Sequence, residues 1–556
     1  MVDHDPASDC YYAPVDLDHP GIVSQDGLSP SESNPQFHQQ MVYAVAMRVI
    51  ADFERALGRR ALWSSRLGVV SSAYGSVSEG EQYVQRLRIH PHALREANAY
   101  YSPRKKALLF GYFPASSGPQ LTVFTCVSQD IVAHEVTHAL LDGIHQHFNE
   151  ASNPDVLAFH EAFADLVALF GHFSLPEVLY QQIAATRGDL AAQNRLGELA
   201  QQFGQAIGRR GALRSAIGAV DPQTGQWSPT RPDPTAYQRV TEPHDRGAIL
   251  VAAVFDAFLT IYKAQVADLL RIATQGTGVL PEGQVHPDLV GRLADEAAGA
   301  ARRVLDMCIR ALDYCPPVDI TFGDYLRALV TADYAANPVD ERHDRVAFIE
   351  AFRRYGIIPD GIRALSPDGL LWQPTSAAPG QDEDVVVSVV KQWAVDIDSW
   401  HLTQDRQQLF ELMCRHRLSL HQHLQRQLRG VSRTLGGLDP GRPFEVHSVR
   451  PTLGTDWNGR PTLHWVIEII QSQRQYLDPA EDDGGEPDFV FRGGCTLVVD
   501  ARTGKVRYSI TKRMDGDRLE RQRQFLLGAG AQGLAATYFG GPGASQSEPF
   551  AVLHRG

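Results

Sequence analysis

The most constraining feature of the sequence is a short apolar stretch, residues 130–142, that contains two histidines and a glutamate. It reads Asp-Ile-Val-Ala-His-Glu-Val-Thr-His-Ala-Leu-Leu-Asp. Because an α-helix turns by about 100° per residue, His134 and His138 lie on nearly the same face. The apolar neighbours favour a buried helix, in which such polar groups are costly unless something pairs with them. The pattern therefore predicts that His134 and His138 bind one metal ion and that Glu135 reaches a water molecule on it.

A second apolar stretch, residues 158–170, supplies the ligand that two histidines leave missing. Catalytic zinc usually has three protein ligands and one open position. Glu161 and Asp165 stand four positions apart among Phe, Leu, Val and Ala residues, so they share one face of a second buried helix. Glu161 is the natural third ligand, and Asp165 is suited to accept a hydrogen bond from the ring of a ligand histidine.

Together, the two motifs resemble those of the thermolysin-like zinc metallopeptidases, the gluzincins. In that family HExxH is followed by a helix carrying Asn-Glu-x-x-Ser-Asp. Here the second motif reads His160-Glu161-Ala-Phe-Ala-Asp165, with His in place of Asn and Ala in place of Ser. The resemblance covers roughly residues 40–358. It implies an α+β fold with a strand-rich N-lobe, a helical C-lobe and one catalytic zinc ion in the cleft between them.

The resemblance also implies roles for residues outside the two motifs. Asn98 and Ala99 look like the family's substrate-binding segment, and residues 107–113 look like the edge strand that binds substrate backbone. Arg214 matches the arginine that contacts a substrate carbonyl. His244 matches the histidine that stabilises the transition state, so Glu135 and His244 are the expected catalytic residues.

The group that orients His244 is left open by the sequence. The family has an aspartate five residues earlier, but Arg239 stands at that position. Glu242 and Asp245 are the two alternatives. The family's catalytic tyrosine has no counterpart, because the matching spacing falls near Ser152.

Three further residues near the motifs are expected to have no metal role. Asp130 matches a position that helps to bind calcium in the family, but the acidic partners are not evident at residues 171–176. The sequence therefore does not support a structural calcium ion. His145 and His147 follow the first motif helix and are expected to face solvent.

The length of 556 residues predicts more than one domain. Residues 385–390 are expected to form a strand because they are rich in valine, and residues 402–428 a helix. The predicted organisation is a polar N-terminal arm at 1–38, a metallopeptidase domain at 39–362 with its N-lobe to about 143 and its helical lobe at 144–362, a linker at 363–384, a small antiparallel α+β domain at 385–535, and a flexible tail at 536–556.

Composition excludes several classes of partner. The net charge is −13 and there is no basic run, which argues against nucleic acid. No apolar run looks long enough to span a membrane. The N-terminus has no signal-like segment, which predicts a cytoplasmic protein, with export by a non-classical route as the alternative. The oligomeric state is left open.

Two functions remain from the sequence. The first is a zinc endopeptidase that acts on peptides or proteins, with Glu135 as general base. The second is a catalytically inactive protein of gluzincin fold that binds a partner protein through its C-terminal domain. The intact set of His134, Glu135, His138 and Glu161 favours the enzyme, since an inactive scaffold has no need for a buried base.

Overall fold

A computed structural model of the chain shows a mixed α+β protein that is 51% helical and 18% strand, which confirms the predicted fold class at that level. The described residues are 1–71, 77–115, 122–190, 218–220, 227–229, 231–372, 383–393, 405–428, 438–439, 441–456, 458–478, 488–531 and 548–554.

Both motif stretches are helices, as the sequence predicts. Within the described residues the helices are α1 Pro20–Val23, α2 Pro35–Leu57, α3 Gln129–Ile144, α4 Pro154–His172, α5 Pro176–Thr186, α6 Ala236–Arg239, α7 Pro243–Ala273, α8 Pro287–Ala311, α9 Phe322–Ala336, α10 Asp344–Arg354, α11 Pro367–Leu370, α12 Glu383–Val390, α13 Arg406–Leu428, α14 Gly516–Ala531 and α15 Pro549–Leu553. The strands are β1 His4–Asp5, β2 Cys10–Tyr11, β3 Arg66–Ser71, β4 Val77–Gln82, β5 Arg88–Leu94, β6 Ala99–Ser102, β7 Ala107–Pro114, β8 Thr122–Phe124, β9 Gly218–Val220, β10 Trp227–Pro229, β11 Phe444–Thr455, β12 Pro461–Gln475, β13 Phe489–Asp500 and β14 Val506–Lys512.

A small sheet lies beside the first motif helix, with strand order β5-β7-β6 and with β8 also paired to β7. Strand β7 is parallel to β5 and antiparallel to β6, so it is an interior strand. The prediction that residues 107–113 form the edge strand is therefore wrong. Strand β6, which begins at Ala99, is one of the edge strands, and its backbone groups on the side away from β7 have no partner strand among the described residues.

Helix α4 is the centre of the main core, packed between α3 and α7. Its apolar residues are almost all buried, so its polar residues can point only at neighbouring elements. Gly247 allows α7 to approach closely, since a Cβ there would lie 2.9 Å from the carbonyl oxygen of Ala158. This contact brings the N-terminus of α7, which carries His244, next to the second motif.

A second, four-stranded antiparallel sheet has the order β11-β12-β13-β14 and packs with α12 and α13 around a separate hydrophobic cluster. The antiparallel sheet agrees with the α+β organisation predicted for residues 385–535. The strand predicted at residues 385–390 is wrong, because these residues belong to α12. Val386, Val389 and Val390 are buried at helical spacing, and this apolar face outweighs the strand preference of valine.

The two ends of the described chain are more ordered than the predicted arm and tail. Near the start, the buried carboxylate of Asp3 lies 2.7 Å from Nδ1 of His92. At the other end, Phe550 and Leu553 of α15 are buried in the main hydrophobic cluster. The flexible tail predicted for 536–556 is therefore wrong for residues 548–554, because apolar burial there offsets the entropy of ordering a short segment.

One helix of the described chain, α7, is long and apolar enough to cross a membrane by length and composition, and 72% of its apolar window is buried inside the protein. Helices α4 and α5 pass the same test only if taken together across a bend of 84°.

Candidate metal centre

Four side chains from three separate parts of the chain meet at one point. His134 and His138 come from α3, Glu161 comes from α4, and His554 follows α15; their ligand atoms all lie within 4.8 Å of one another. Nε2 of His138 is 3.0 Å from Nε2 of His134. Oε2 of Glu161 is 3.3 Å from Nε2 of His134 and 3.3 Å from Nε2 of His554. The structure thus brings together the three ligands predicted from sequence and adds a fourth candidate.

The outer nitrogens of both α3 histidines are held by hydrogen bonds. Nδ1 of His134 donates to Oδ1 of Asp165 at 2.9 Å, which is the role predicted for Asp165. Nδ1 of His138 is hydrogen-bonded to Nδ1 of His160 at 3.0 Å. Since the outer nitrogens are engaged in this way, the Nε2 atoms turn toward the common centre, as they do in histidines that bind zinc.

The donor set fits a zinc ion. Glu161 is fully buried, and its Oε1 atom has no hydrogen-bond partner among the described residues. An unpartnered oxygen of a buried carboxylate is costly unless a cation satisfies it. Bonds of about 2.0–2.1 Å in tetrahedral geometry place ligand atoms about 3.3 Å apart, close to the separations seen here.

The charges at this centre favour a cation. Burial would raise the pKa of Glu161, but the positive charges of His554, His138 and His244 hold that pKa well below its usual range. Burial also opposes protonation of His134, yet its hydrogen bonds to Asp165 and Glu161 raise its pKa to about 10. The buried carboxylate therefore stays ionised and attracts positive charge, whether protons or a metal ion.

Glu135 lies on the same side of α3, between the ligands and strand β6. It is 2% exposed, and its Oε2 accepts a hydrogen bond from the backbone N–H of Tyr101 at 2.7 Å. The helix and the strand are also joined by the Tyr101 hydroxyl, which donates to Oδ2 of Asp142 at 2.7 Å. The candidate base is thus fixed in position by the edge strand.

His244 lies at the N-terminus of α7 and faces the metal ligands. Its Nε2 is 3.5 Å from Oε2 of Glu161, and its Nδ1 is 3.1 Å from Oε1 of Glu242. Of the two orienting groups left open by the sequence, Glu242 contacts the ring. Glu242 is also the N-cap of α7, accepting from the backbone N–H of Asp245 at 2.8 Å. Burial lowers the pKa of His244, but the charge of Glu161 and the bond to Glu242 more than offset this and raise it.

The predicted substrate-binding residues are placed in part. Ala99 begins β6, the strand whose Tyr101 holds Glu135, and Asn98 immediately precedes it, whereas Arg214 lies outside the described residues. Ser152, near the position of the missing catalytic tyrosine, donates a hydrogen bond to Oδ1 of Asp319 at 2.7 Å.

Two neighbouring residues have structural partners. Asp130 lies 2.6 Å from Nε2 of His172, so this carboxylate has a histidine neighbour. The prediction that His145 faces solvent is wrong: it is 1% exposed, and its Nδ1 is 2.9 Å from Oε1 of Glu468 on β12. Sequence spacing could not show this contact, because Glu468 is far away in the chain.

His554 is the functional candidate that sequence reasoning missed. The local signal was an apolar stretch, Pro549-Phe-Ala-Val-Leu-His554, in which Phe550 and His554 stand four positions apart and share a helix face. It follows a glycine-rich region, and composition alone predicted a tail there. Its position at the metal centre depends on tertiary packing.

A second group of possible ligands consists of His38 on α2, His92 on β5 and Cys126. Nδ1 of His38 is hydrogen-bonded to Nε2 of His92 at 2.9 Å, and Nδ1 of His92 lies 2.7 Å from Asp3. These histidines already satisfy one another in a chain that ends on a carboxylate. The group is therefore explained as a buried structural network.

Comparison of the chain with protein-family models, with curated proteins and with solved structures found no match. The functional assignment therefore depends on the geometry of the site and on the motif resemblance.

Proposed function

We propose that this protein is a zinc-dependent endopeptidase of the gluzincin type. The observation that carries the proposal is the convergence of His134, His138 and Glu161 around one point, with Glu135 beside that point and against an edge strand. An exposed strand edge is the usual way to bind an extended peptide, because it offers backbone hydrogen bonds without regard to side chains. Under this proposal, the metal ligands, the base and the peptide-binding edge act together on one substrate.

The proposal includes a thermolysin-like arrangement of two lobes. In this arrangement the N-lobe, which contains β3 to β8, would end at about residue 143, and the helical lobe would span 144–362. Helix α3 joins them and carries three of the site residues. A cleft between two such parts is a common place for a substrate.

When bound here, zinc would lower the pKa of a water molecule and polarise the substrate carbonyl. Glu135 takes the proton of the attacking water and can deliver it to the leaving amine. The backbone N–H of Tyr101 holds the carboxylate in place. Asp165 fixes the ring of His134 through its Nδ1 proton.

His244 is placed to donate a hydrogen bond to the oxygen on which negative charge develops. Its Nε2 faces the candidate metal ligand Glu161 at 3.5 Å, and Glu242 holds its other nitrogen. This interaction strengthens as charge develops, so it lowers the barrier more than it stabilises the bound substrate.

The test compares Glu135→Gln and His138→Ala with the parent. Glu135→Gln should keep about one zinc per chain yet lose roughly 10²–10⁴ of the turnover of a peptide library, because the amide cannot accept a proton. His138→Ala should lose most of the zinc. Zinc content is measured by elemental analysis and cleavage by mass spectrometry. Full zinc in His138→Ala would refute the ligand assignment, and full turnover in Glu135→Gln would remove Glu135 from the base role.

One observation favours the alternative of an inactive scaffold. Both oxygens of Glu135 are engaged, because Oε1 lies 3.2 Å from Nδ1 of His554 while Oε2 accepts from Tyr101. If His554 always occupies this position, the protein is inactive. If His554 can be displaced, the protein is a latent enzyme. Cleavage of peptides after the occupant is removed separates these two functions.

A further inference from the structure

We propose that residues 548–554 form an internal inhibitory segment that covers the peptide-binding strand and supplies His554 as a fourth metal ligand. This inference rests on the proposed zinc site and deepens it, since it states how the site is regulated. The segment is distant in sequence from the site residues, so its presence in the cleft is a tertiary feature of the fold.

The first support is that the segment uses the polar groups expected to bind substrate. Asn98 donates from Nδ2 to the backbone oxygen of Ala551 at 3.3 Å. Nδ1 of His554 donates to the backbone oxygen of Ala99 at 2.9 Å. At the other end of β6, the Ser102 hydroxyl donates to Oε1 of Glu548 at 2.8 Å. The segment thus lies along the whole edge strand and leaves little of it for another peptide.

The second support is an aromatic anchor. Phe550 is fully buried, and its ring stacks on that of His138 with centroids 4.3 Å apart. Its ring is also 6.2 Å from that of Tyr101. Burial of a whole aromatic side chain is strongly stabilising, so this ring anchors the segment. The same pocket, next to a metal ligand, is placed to receive a side chain of a substrate.

The third support is the position of the His554 ring. Because Nδ1 donates to Ala99, Nε2 faces the centre, 3.3 Å from Oε2 of Glu161, where it would offer its lone pair to a metal ion in place of a proton. A ligand histidine commonly has this arrangement, with its outer nitrogen bonded to a carbonyl. His554 takes the position that a catalytic zinc site keeps open, and it also contacts Glu135.

These contacts block the base, the open position and the peptide-binding strand together. Since the segment belongs to the same chain, it competes with a substrate as an intramolecular ligand. A peptide substrate must therefore displace the segment, and removal of its anchors should release the site.

The experiment compares the full-length parent with His554→Ala and with Phe550→Ala/His554→Ala. An exposed histidine far from the site provides the control His286→Asn, which retains a side-chain cap for α8. Zinc affinity is measured by competition with a fluorescent chelator, and hydrolysis is measured with unlabelled casein and a peptide library. Hydrogen exchange of residues 548–554 reports whether the segment has left the cleft.

We expect His554→Ala to lower zinc affinity at least about tenfold, since loss of even an outer-shell partner costs 10- to 100-fold. The double variant should lose exchange protection at 548–554 and cleave casein at least about tenfold faster than the parent, with His286→Asn unchanged. Adding Glu135→Gln to the double variant should abolish the gain in casein cleavage.

The two proposals fail in different ways. Unchanged zinc affinity in His554→Ala, or unchanged cleavage by an active parent and an active double variant, would overturn the inhibitory role of the segment. Lowered zinc affinity and lost protection without cleavage by any variant would keep His554 as a ligand and refute the endopeptidase.

Discussion

Two buried carboxylates next to α3 differ in their basic partners: histidines surround Glu161, whereas an arginine pairs with Glu468. Glu161 lies beside the middle of this helix and is fully buried; Glu468, on β12, lies beside its C-terminal end and is 1% exposed. Each is surrounded by basic side chains from distant parts of the chain. The difference between the two sets of partners separates a ligand site from a structural ion pair.

Glu468 is fully satisfied by permanent donors. Arg450 donates to both of its oxygens at 2.9 Å, and the Ser448 hydroxyl donates to Oε2 at 2.7 Å. Arg450 also donates to the backbone oxygen of Ile144 at 2.8 Å, which ties the sheet to the end of α3. A guanidinium is always charged and matches a carboxylate in geometry, so the charge of Glu468 is already balanced without a metal ion.

Glu161 faces only imidazole rings, and one of its oxygens lacks a hydrogen-bond donor among the described residues. Imidazoles can lose their protons and present lone pairs, which a guanidinium cannot do. The same helix therefore presents a closed ion pair at its end and a potential metal site in its middle. The type of base opposite the carboxylate decides which one forms.

The largest expected effect on stability is at the buried ion pair of Arg450 and Glu468. Arg450→Met should lower the free energy of unfolding by about 3–5 kcal/mol, because it leaves Glu468 buried without its cation. Chemical denaturation measures this loss, and zinc content should not change. The double variant Arg450→Met/Glu468→Leu should recover much of the stability, since no buried charge is then left unpaired.

A more exposed ion pair provides a matched control for the pair of Arg450 and Glu468. Arg492 on β13 pairs with Glu150 at 2.7 Å, but the glutamate side chain is 44% exposed. Arg492→Met should therefore cost at most about 1 kcal/mol. Equal losses in Arg492→Met and Arg450→Met would show that burial does not distinguish the two ion pairs.

The next effect is on zinc affinity at the candidate metal site around Glu161. Asp165→Ala should weaken zinc binding about 10- to 100-fold, because His134 loses the acceptor that fixes its ring. Chelator competition gives the zinc affinity, and the metal-free variant should remain folded by circular dichroism. The parallel substitution Ser448→Ala, which removes a donor from Glu468, should leave zinc affinity unchanged. A similar loss of zinc in both variants would mean that Asp165 acts through general stability.

Features that depend on residue spacing within one helix could be predicted from the sequence. The spacing of His134 and His138, and that of Glu161 and Asp165, put each pair on one helix face whatever the rest of the fold does. Short turns and caps carry similar local information: Glu242 precedes a proline that begins a helix, and it proved to be both cap and partner of His244.

The parts that depend on distant contacts could not be predicted. Residues 107–113 have the apolar composition of a buried strand, but only the order of the strands shows that β6 is the edge. The sequence predicted an exposed His145, but Glu468 lies beside it in the fold. It predicted a flexible tail around His554, but Phe550 of the same segment is buried against His138. In α12 the valines could satisfy either a strand or a helix, and packing against α13 and β14 accompanies the helix.

The last test concerns a histidine beside the Glu468 ion pair. His447 lies at a bulge in β11, with its ring 4.8 Å from that of His147 and with Glu468, Arg450 and Arg417 around it. Burial, followed by the charge of His147, lowers the pKa of His447 to about 3. In the unfolded chain this pKa is about 6.5.

Between these two pKa values the unfolded state binds a proton that the folded state does not bind. The contribution of His447 is therefore complete above about pH 6.5 and declines as the pH falls toward 3, by at most about 1.4 kcal/mol per pH unit. His447→Gln should remove this part of the slope when the free energy of unfolding is measured by denaturant between pH 7 and 4. The variant His286→Asn is the control and should keep the parent's slope, because that side chain is 72% exposed. A slope in His447→Gln as steep as that of the parent would place the acid-sensitive histidines elsewhere, and the rings around Glu161 would be the first to examine in the zinc-free protein.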